Sequence, residues 1–257
     1  MSLPQARLPA AWQPAGDTLA GRKILISGAA GGLGRATALA CARAGATVLL
    51  VGHKVRALEK VHDEITAIPD APQPVIQPVD LLGATPADYE NLAETIGNEL
   101  GGLDGVVHAA ARFEGLTPLA MHKPKEWVET LHVNVSAPFL LTQALTPLLQ
   151  ARPDSAAIFV LDDTERMGRA HWGAYGVGKA ALEGFVSILH QETEGSSLRA
   201  HALLPAPMRT ALRQMAWFGE DATAVAMPDA AARAVVYLLS PAGHQARGCV
   251  LDLRDGT

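Results

Sequence analysis

Tyr175 and Lys179 stand four residues apart in the run Trp172-Gly-Ala-Tyr-Gly-Val-Gly-Lys179. On a helix, that spacing puts a phenol and an ammonium on one face, one turn apart. Such a pair can move a proton. An oxygen that gains charge as a hydride reaches its carbon must be given one, and a free phenol, with a pKa near ~10, is a poor acid or base at neutral pH. A neighbouring ammonium favours the phenolate and lowers that value, so the phenol is expected to work near neutrality. Lys179 can also reach a nucleotide ribose. Far upstream, Ser27-Gly28-Ala29-Ala30-Gly31-Gly32-Leu33-Gly34 is a glycine-rich turn of the kind that lets phosphate approach backbone N–H groups at the start of a helix. Either motif alone is weak. In this order in one chain, they point to hydride transfer with a nicotinamide nucleotide.

Both motifs need a scaffold that brings distant segments together. Short apolar runs at Lys23–Ser27, Thr47–Val51, Pro74–Val79, Leu103–His108, Ala156–Leu161, Leu198–Leu204 and Cys249–Leu253 read as seven strands. Helical patterns lie between them: Leu33–Ala44, Val55–Ala67, Pro86–Leu100, a long helix over Pro124–Leu149 with a bend expected at Pro138, Gly173–Glu194, and one ending at Val235–Leu239. Continuous apolar strands alternating with helices predict an α/β fold, a Rossmann-type doubly wound, seven-stranded parallel sheet covered on both faces. Ligands bind such sheets at the carboxyl ends of the strands. The expected organisation is an N-terminal extension over 1–20 and a single domain over 21–257. The stretch Pro205–Pro228, with Met208, Met215, Trp217 and Phe218, fits a lid over the site.

Composition narrows the function. The chain has 257 residues, 49% of them hydrophobic, and a net charge of −5, with no basic patch that would suggest nucleic acid. Its two cysteines, Cys41 and Cys249, have no metal or redox spacing, and Cys41 reads as a buried thiol. No metal constellation is visible among the nine histidines. The first twenty residues carry Pro4, Pro9 and Pro14 and no long apolar run, so neither a signal peptide nor a membrane span is expected. A cytoplasmic protein acting on a small molecule follows.

These residues resemble the short-chain dehydrogenase/reductase family over roughly residues 20–255, and within it the YciK-like bacterial oxidoreductases. The runs Leu103-Asp-Gly-Val-Val-His108, Leu141-Thr-Gln-Ala-Leu145 and Gly168-Arg-Ala-His-Trp-Gly-Ala-Tyr175 carry the likeness. The family's phosphate motif matches Ser27 through Gly34, which implies Ser27, Gly28, Gly32, Leu33 and Gly34 as cofactor contacts. The adenine-side aspartate matches Asp80, followed by Leu81. The catalytic asparagine matches Asn134, and the Tyr-x-x-x-Lys pair matches Tyr175 and Lys179, which also bind cofactor in the family. Pro205 and Thr210 match the segment that caps the nicotinamide. The family's long helix and tyrosine helix pack against symmetry mates, implying a homodimer or homotetramer. Val135, Phe139, Leu140, Leu145, Ala180, Ala181, Phe185 and Leu189 are the apolar residues expected there.

Departures from the pattern concern the chemistry. The family has a serine thirteen positions before the tyrosine, and here that residue is Asp162. A carboxylate cannot donate a hydrogen bond, and it repels a developing oxyanion. Thr164 is the nearest hydroxyl that a register shift could bring in, and Asp162 could equally be a loop carboxylate turned to solvent. The family's N-N-A-G after the fourth strand is His108-Ala109-Ala110-Ala111, with Ala109 and Ala110 expected beside the cofactor, and Ala206 replaces a glycine. His108 reads as a strand-end histidine. Two function classes stay open: an NADP-dependent oxidoreductase of carbonyl or alcohol groups, and a nucleotide-binding homologue with little or no catalysis that serves as a binding or regulatory protein.

Cofactor choice is read after the second strand. NAD enzymes usually hold the ribose 2′-hydroxyl there with an acid. This chain has Val51-Gly52-His53-Lys54, and Arg35 follows Gly34. His53, Lys54 and Arg35 are candidates for a 2′-phosphate, so NADP is expected over NAD.

Overall fold

The computed structural model describes residues 3–254. Among them, eight parallel strands form one sheet: β1 (Gln5–Ala6), β2 (Lys23–Ser27), β3 (Thr47–Gly52), β4 (Val75–Pro78), β5 (Gly105–His108), β6 (Ser155–Val160), β7 (Leu198–Leu204) and β8 (Val250–Asp252). Their order is β1-β8-β7-β6-β5-β2-β3-β4. The doubly wound parallel sheet is as expected, with eight strands rather than seven. The added strand comes from the N-terminal stretch: Gln5 and Ala6 pair with Val250 and Leu251. Two residues with no apolar run leave no pattern to read, because this pairing is made by the backbone.

The helices are α1 (Gly32–Arg43), α2 (Val55–Thr66), α3 (Pro86–Leu100), α4 (Pro124–Leu131), α5 (Ala137–Gln150), α6 (Thr164–Met167), α7 (Gly173–Glu192), α8 (Ala211–Ala216) and α9 (Asp229–Leu239). Strand side chains alternate between two cores. Ile24, Ile26, Val48 and Leu50 join residues of α1, α2 and α9, while Leu25, Leu49 and Val51 join residues of α3, α5 and α7. Burial on both faces is what the continuous apolar runs dictate. Cys41 lies in the first core, and burial pushes its thiol up to about 12.

The long helix is interrupted differently from expectation. Between α4 and α5, residues His132–Ser136 form a π-helical turn, closed by the Ala137 N–H on the His132 carbonyl. Pro138 sits at the second position of α5. There it has no N–H to offer the Asn134 carbonyl four residues back. One extra residue in the turn absorbs that defect, and π-turns of this kind mark functional sites often. Strand order reverses at β2, which lies between β3 and β5. A crevice at the carboxyl ends of β2 and β5 is therefore where a ligand should sit.

Candidate active site

Ser27 ends β2 and Gly28 opens the turn at φ +68°, a left-handed conformation that favours glycine. A Cβ on Gly28 would lie 2.7 Å from the Cα of Ala110, just past the end of β5, and one on Gly34 would run into the Gly28 carbonyl. The Ala110 N–H reaches Ser27 Oγ at 3.4 Å, tying the two strand ends together. Gly31 precedes α1 without a side-chain cap, so the first N–H groups of the helix have no side-chain acceptor there. Thr210 leans over this turn: its Cγ2 would be 3.0 Å from a Cβ on Gly32. Backbone kept bare of side chains, with uncapped N–H groups, fits a dinucleotide pyrophosphate. Leu33 turns into the core instead.

The wiring from this turn to Tyr175 is continuous. Asn134, buried in the π-turn, holds the loop after β5 with two bonds: its Oδ1 accepts from the Arg112 N–H at 2.8 Å and its Nδ2 donates to the Arg112 carbonyl at 2.9 Å. Gly178 on α7 approaches Asn134 so closely that a Cβ there would be 3.3 Å from the Asn134 Cβ. Helix α7 thus presents Tyr175 and Lys179 beside the asparagine. Tyr175 is 5% exposed and Lys179 3%.

Asp162 is the feature that sets this site apart. It follows β6 and is turned inward, not to solvent. The Tyr175 hydroxyl donates to Asp162 Oδ2 at 2.9 Å. Its Oδ1 accepts from Arg166 Nη2 at 2.5 Å and from the Asp163 N–H at 2.8 Å. Thr164, by contrast, opens α6 with its side chain exposed, and the structure gives it no bond to Tyr175. Asp163 caps that short helix by accepting from Glu165 and Arg166 N–H groups. The cap fixes the register, so the hydroxyl is not brought in.

Expectation and structure also part over the phenol. The ammonium of Lys179 was expected to lower the Tyr175 pKa. Burial, followed by the charge and hydrogen bond of Asp162, holds it well above its ordinary value, with Arg166 pulling weakly the other way. Lys179 lies over the face of the Tyr175 ring, 5.5 Å from its centroid, and gives its hydrogen bond to the Val160 carbonyl at 2.7 Å. Burial pushes the ammonium itself down to about 8, against the pull of Asp162.

Around this centre, Phe113, Met167, Trp172, Tyr175 and Ala216 form a small apolar cluster, with Leu212 and Trp217 packed on it. Helix α8 and Trp217 belong to the expected lid. Trp217 lies near Trp172, with centroids 5.4 Å apart and the rings tilted, and the guanidinium groups of Arg166 and Arg213 lie 5.0 and 4.5 Å from its ring centroid. Sequence reading missed Arg166 and Arg112; the signal for Arg166 was its place four residues after Asp162. His108 is buried against Phe159 and Thr142, and burial pushes its pKa down to about 3, so it is a neutral strand-end residue.

The remaining cofactor candidates ring the crevice. Asp80 accepts from the Leu82 N–H at 3.1 Å, Leu81 is buried, and Ala109 and Ala206 pack on the first core while Ala110 packs on the second. Pro205 is half-buried just past β7, and Thr210 caps α8 by accepting from Arg213 N–H at 3.2 Å. His53 and Lys54 are exposed after β3. Arg35 is paired with Glu64 at 2.6 Å. Among the described residues, no cluster of His, Cys, Asp and Glu could hold a metal, and no helix is long and apolar enough to cross a membrane.

Comparison with known proteins agrees with this geometry. A family model described as short chain dehydrogenase matches residues 22–220. The uncharacterized oxidoreductase YciK of Escherichia coli K12 is 35% identical over 245 residues, which cover 95% of this chain and 96% of YciK. Its structure superposes with a TM-score of 0.89 at 34% identity, covering 94% of this chain and 98% of that one. A short chain dehydrogenase from Escherichia coli CFT073, complexed with NADPH, has a TM-score of 0.89 at 35% identity, covering 93% and 99%.

Proposed function

The chain belongs to the short chain dehydrogenase family of oxidoreductases, and from that premise we propose that it interconverts a carbonyl and an alcohol on a small molecule, with NADP as its cofactor and Tyr175 as the group that moves the proton. One observation carries the reading: Tyr175 and Lys179 are buried on one face of α7, joined through Gly178, Asn134, Arg112 and Ala110 to a glycine turn that only bare backbone can form. When bound, the dinucleotide supplies or accepts the hydride. Ser27, Gly28, Gly32, Gly34, Ala109, Ala110, Asp80, Pro205 and Thr210 would hold it, and the aromatic cluster under the lid would keep water from the reacting carbon.

NADP is preferred because no acid follows β3, and Lys54, Arg35 and the His53 imidazole are the candidate partners of the added phosphate. The NADPH complex of the Escherichia coli CFT073 relative supports this. Each charge-assisted contact to the added phosphate is worth roughly 1.5–3 kcal/mol, or about tenfold or more in affinity. Quenching of tryptophan fluorescence by NADPH and NADH tests it; equal or reversed affinities refute it. The protein is read as cytoplasmic and as a homodimer or homotetramer. Leu145 and Leu189 are buried in the core rather than free for a partner, whereas Phe139, Val128, Val177 and Ile188 on α4, α5 and α7 are exposed apolar residues that a second copy could cover.

A further inference from the structure

A phenol hydroxyl has one hydrogen to donate. In this structure the Tyr175 hydroxyl directs it at Asp162 Oδ2. While that bond is made, Tyr175 cannot donate to a substrate oxygen, although its lone pairs can accept. Asp162 is not free to turn away. Its Oδ1 is held by Arg166 and by the Asp163 N–H, which leaves Oδ2 facing the phenol. Arg166 is itself stacked on Trp217, its guanidinium carbon 5.0 Å from the ring centroid. Asp162 is also the outer member of the pair, half-buried where Tyr175 is buried, so it has the shorter way to solvent.

We propose that Asp162 is the proton relay of this site, exchanging the reacting proton with Tyr175, and that Arg166 is the positioning residue that holds it. The proposal rests on the oxidoreductase reading above. In oxidation, the alcohol carbon loses its hydrogen with the bonding electron pair as hydride to the oxidised nicotinamide. The alcohol O–H breaks, its proton bonds to the Tyr175 oxygen, and the proton that Tyr175 held moves to Asp162 Oδ2. The products are the carbonyl, the reduced nicotinamide and a protonated Asp162, which loses its proton to water. Reduction is the reverse and starts from protonated Asp162, which donates to Tyr175 while Tyr175 donates to the substrate oxygen. Oxidation therefore needs the carboxylate and reduction the acid. A serine hydroxyl at this position, which donates and accepts without changing charge, has no such requirement. The charged groups acting on the pair are Arg166 from α6 and Lys179 from α7; Asp163, next in the chain, is paired with Arg254, and Arg213 of α8 with Glu220. None of these supplies a second acceptor for the Tyr175 proton.

Two measurements test the relay. The first uses the protein without nucleotide, labelled with carbon-13 at tyrosine Cζ; the chain has only three tyrosines, and Y175F assigns the signal. In the wild type the Tyr175 signal should show an acid-side step from proton binding at Asp162. Its phenol should also ionise about one pH unit or more above that of D162S, since both the charge and the acceptor are removed there. D162N keeps an acceptor of the same shape but cannot take a proton, so the acid-side step should vanish. Identical Tyr175 titrations in wild type, D162N and D162S would overturn the proposal. The second measurement is the pH profile of phenanthrenequinone and benzaldehyde reduction with NADPH. Wild-type kcat/KM should fall tenfold per pH unit above the same step. D162N should lose that limb and most of the rate, whereas a purely structural Asp162 would be rescued by asparagine. D162S should be pH-independent over that range and faster than wild type at neutral pH, by up to about 10²-fold for one restored donor. A Tyr175 step without turnover of either probe counts against the oxidoreductase reading, on which the relay rests, and leaves only the proton coupling of Asp162 and Tyr175. Turnover without the step overturns the relay alone.

Discussion

Lys179 should destabilise the fold at neutral pH, and the amount follows from its surroundings. Burial lowers its pKa from the ordinary 10.5 to about 8. At about 1.36 kcal/mol per pH unit, the folded protein carries a penalty of about 3 kcal/mol whenever both states hold the proton. Below pH 8 the penalty is complete. Between about 8 and 10.5 the folded site has released its proton while the unfolded chain still binds it, so stability rises with pH. Above that range the penalty is gone. Lys179→Met keeps the length of the side chain and removes the titration. It also leaves the Val160 carbonyl without its 2.7 Å donor, a loss of about 1–3 kcal/mol that does not vary with pH. The stability of wild type relative to Lys179→Met should therefore climb by about 3 kcal/mol across that window. Urea denaturation followed by circular dichroism, at pH values from 8 to 10.5, measures it. A difference that stays level or falls would refute the reasoning, because it would mean that the ammonium is solvated.

Gly28→Ala should destabilise the protein and weaken NADPH binding at least tenfold, since the added Cβ meets Ala110 at 2.7 Å and the left-handed backbone costs about 1–2 kcal/mol besides. Gly21→Ala is the control, with φ +73° but nothing within 4 Å, and should leave binding unchanged in calorimetry. Glu64→Gln should free Arg35 and raise the NADPH-over-NADH preference by up to about fivefold, the upper end for an exposed pair worth about 0.2–1 kcal/mol; fluorescence titration reads it. Light scattering should give a dimer or tetramer mass, and Ile188→Glu on the exposed face of α7 should shift it towards monomer.

The sheet was legible because its strands are apolar runs bounded by glycine and proline, and the glycine turn because its residues have no substitute. Burial on both faces makes such runs continuous, so even their boundaries could be read within a residue or two. What escaped was held together by other means. Strand β1 is only two residues long and carries no apolar run. Helices α6 and α8, of four and six residues, are too short to show a period. The irregularity expected at Pro138 takes the form of a π-turn just before it, which the proline alone does not announce. At the site, the identities of Tyr175, Lys179 and Asn134 were readable from spacing and resemblance. The direction of the Tyr175 pKa was not, since it depends on which side of the ring the ammonium takes and where Asp162 points. Both follow from packing of α6 and α7 that no local pattern records.

The central claim is that the glycine turn holds NADPH and that Tyr175 moves the proton of the reaction. It is tested most directly by stopped-flow reduction of phenanthrenequinone with NADPH, run beside NADPH titration, for wild type and Tyr175→Phe. The variant should still bind NADPH and should lose about 10²-fold or more in its hydride-transfer rate, the weight of one general acid. Equal rates, or an absence of NADPH binding by the wild type, would contradict it.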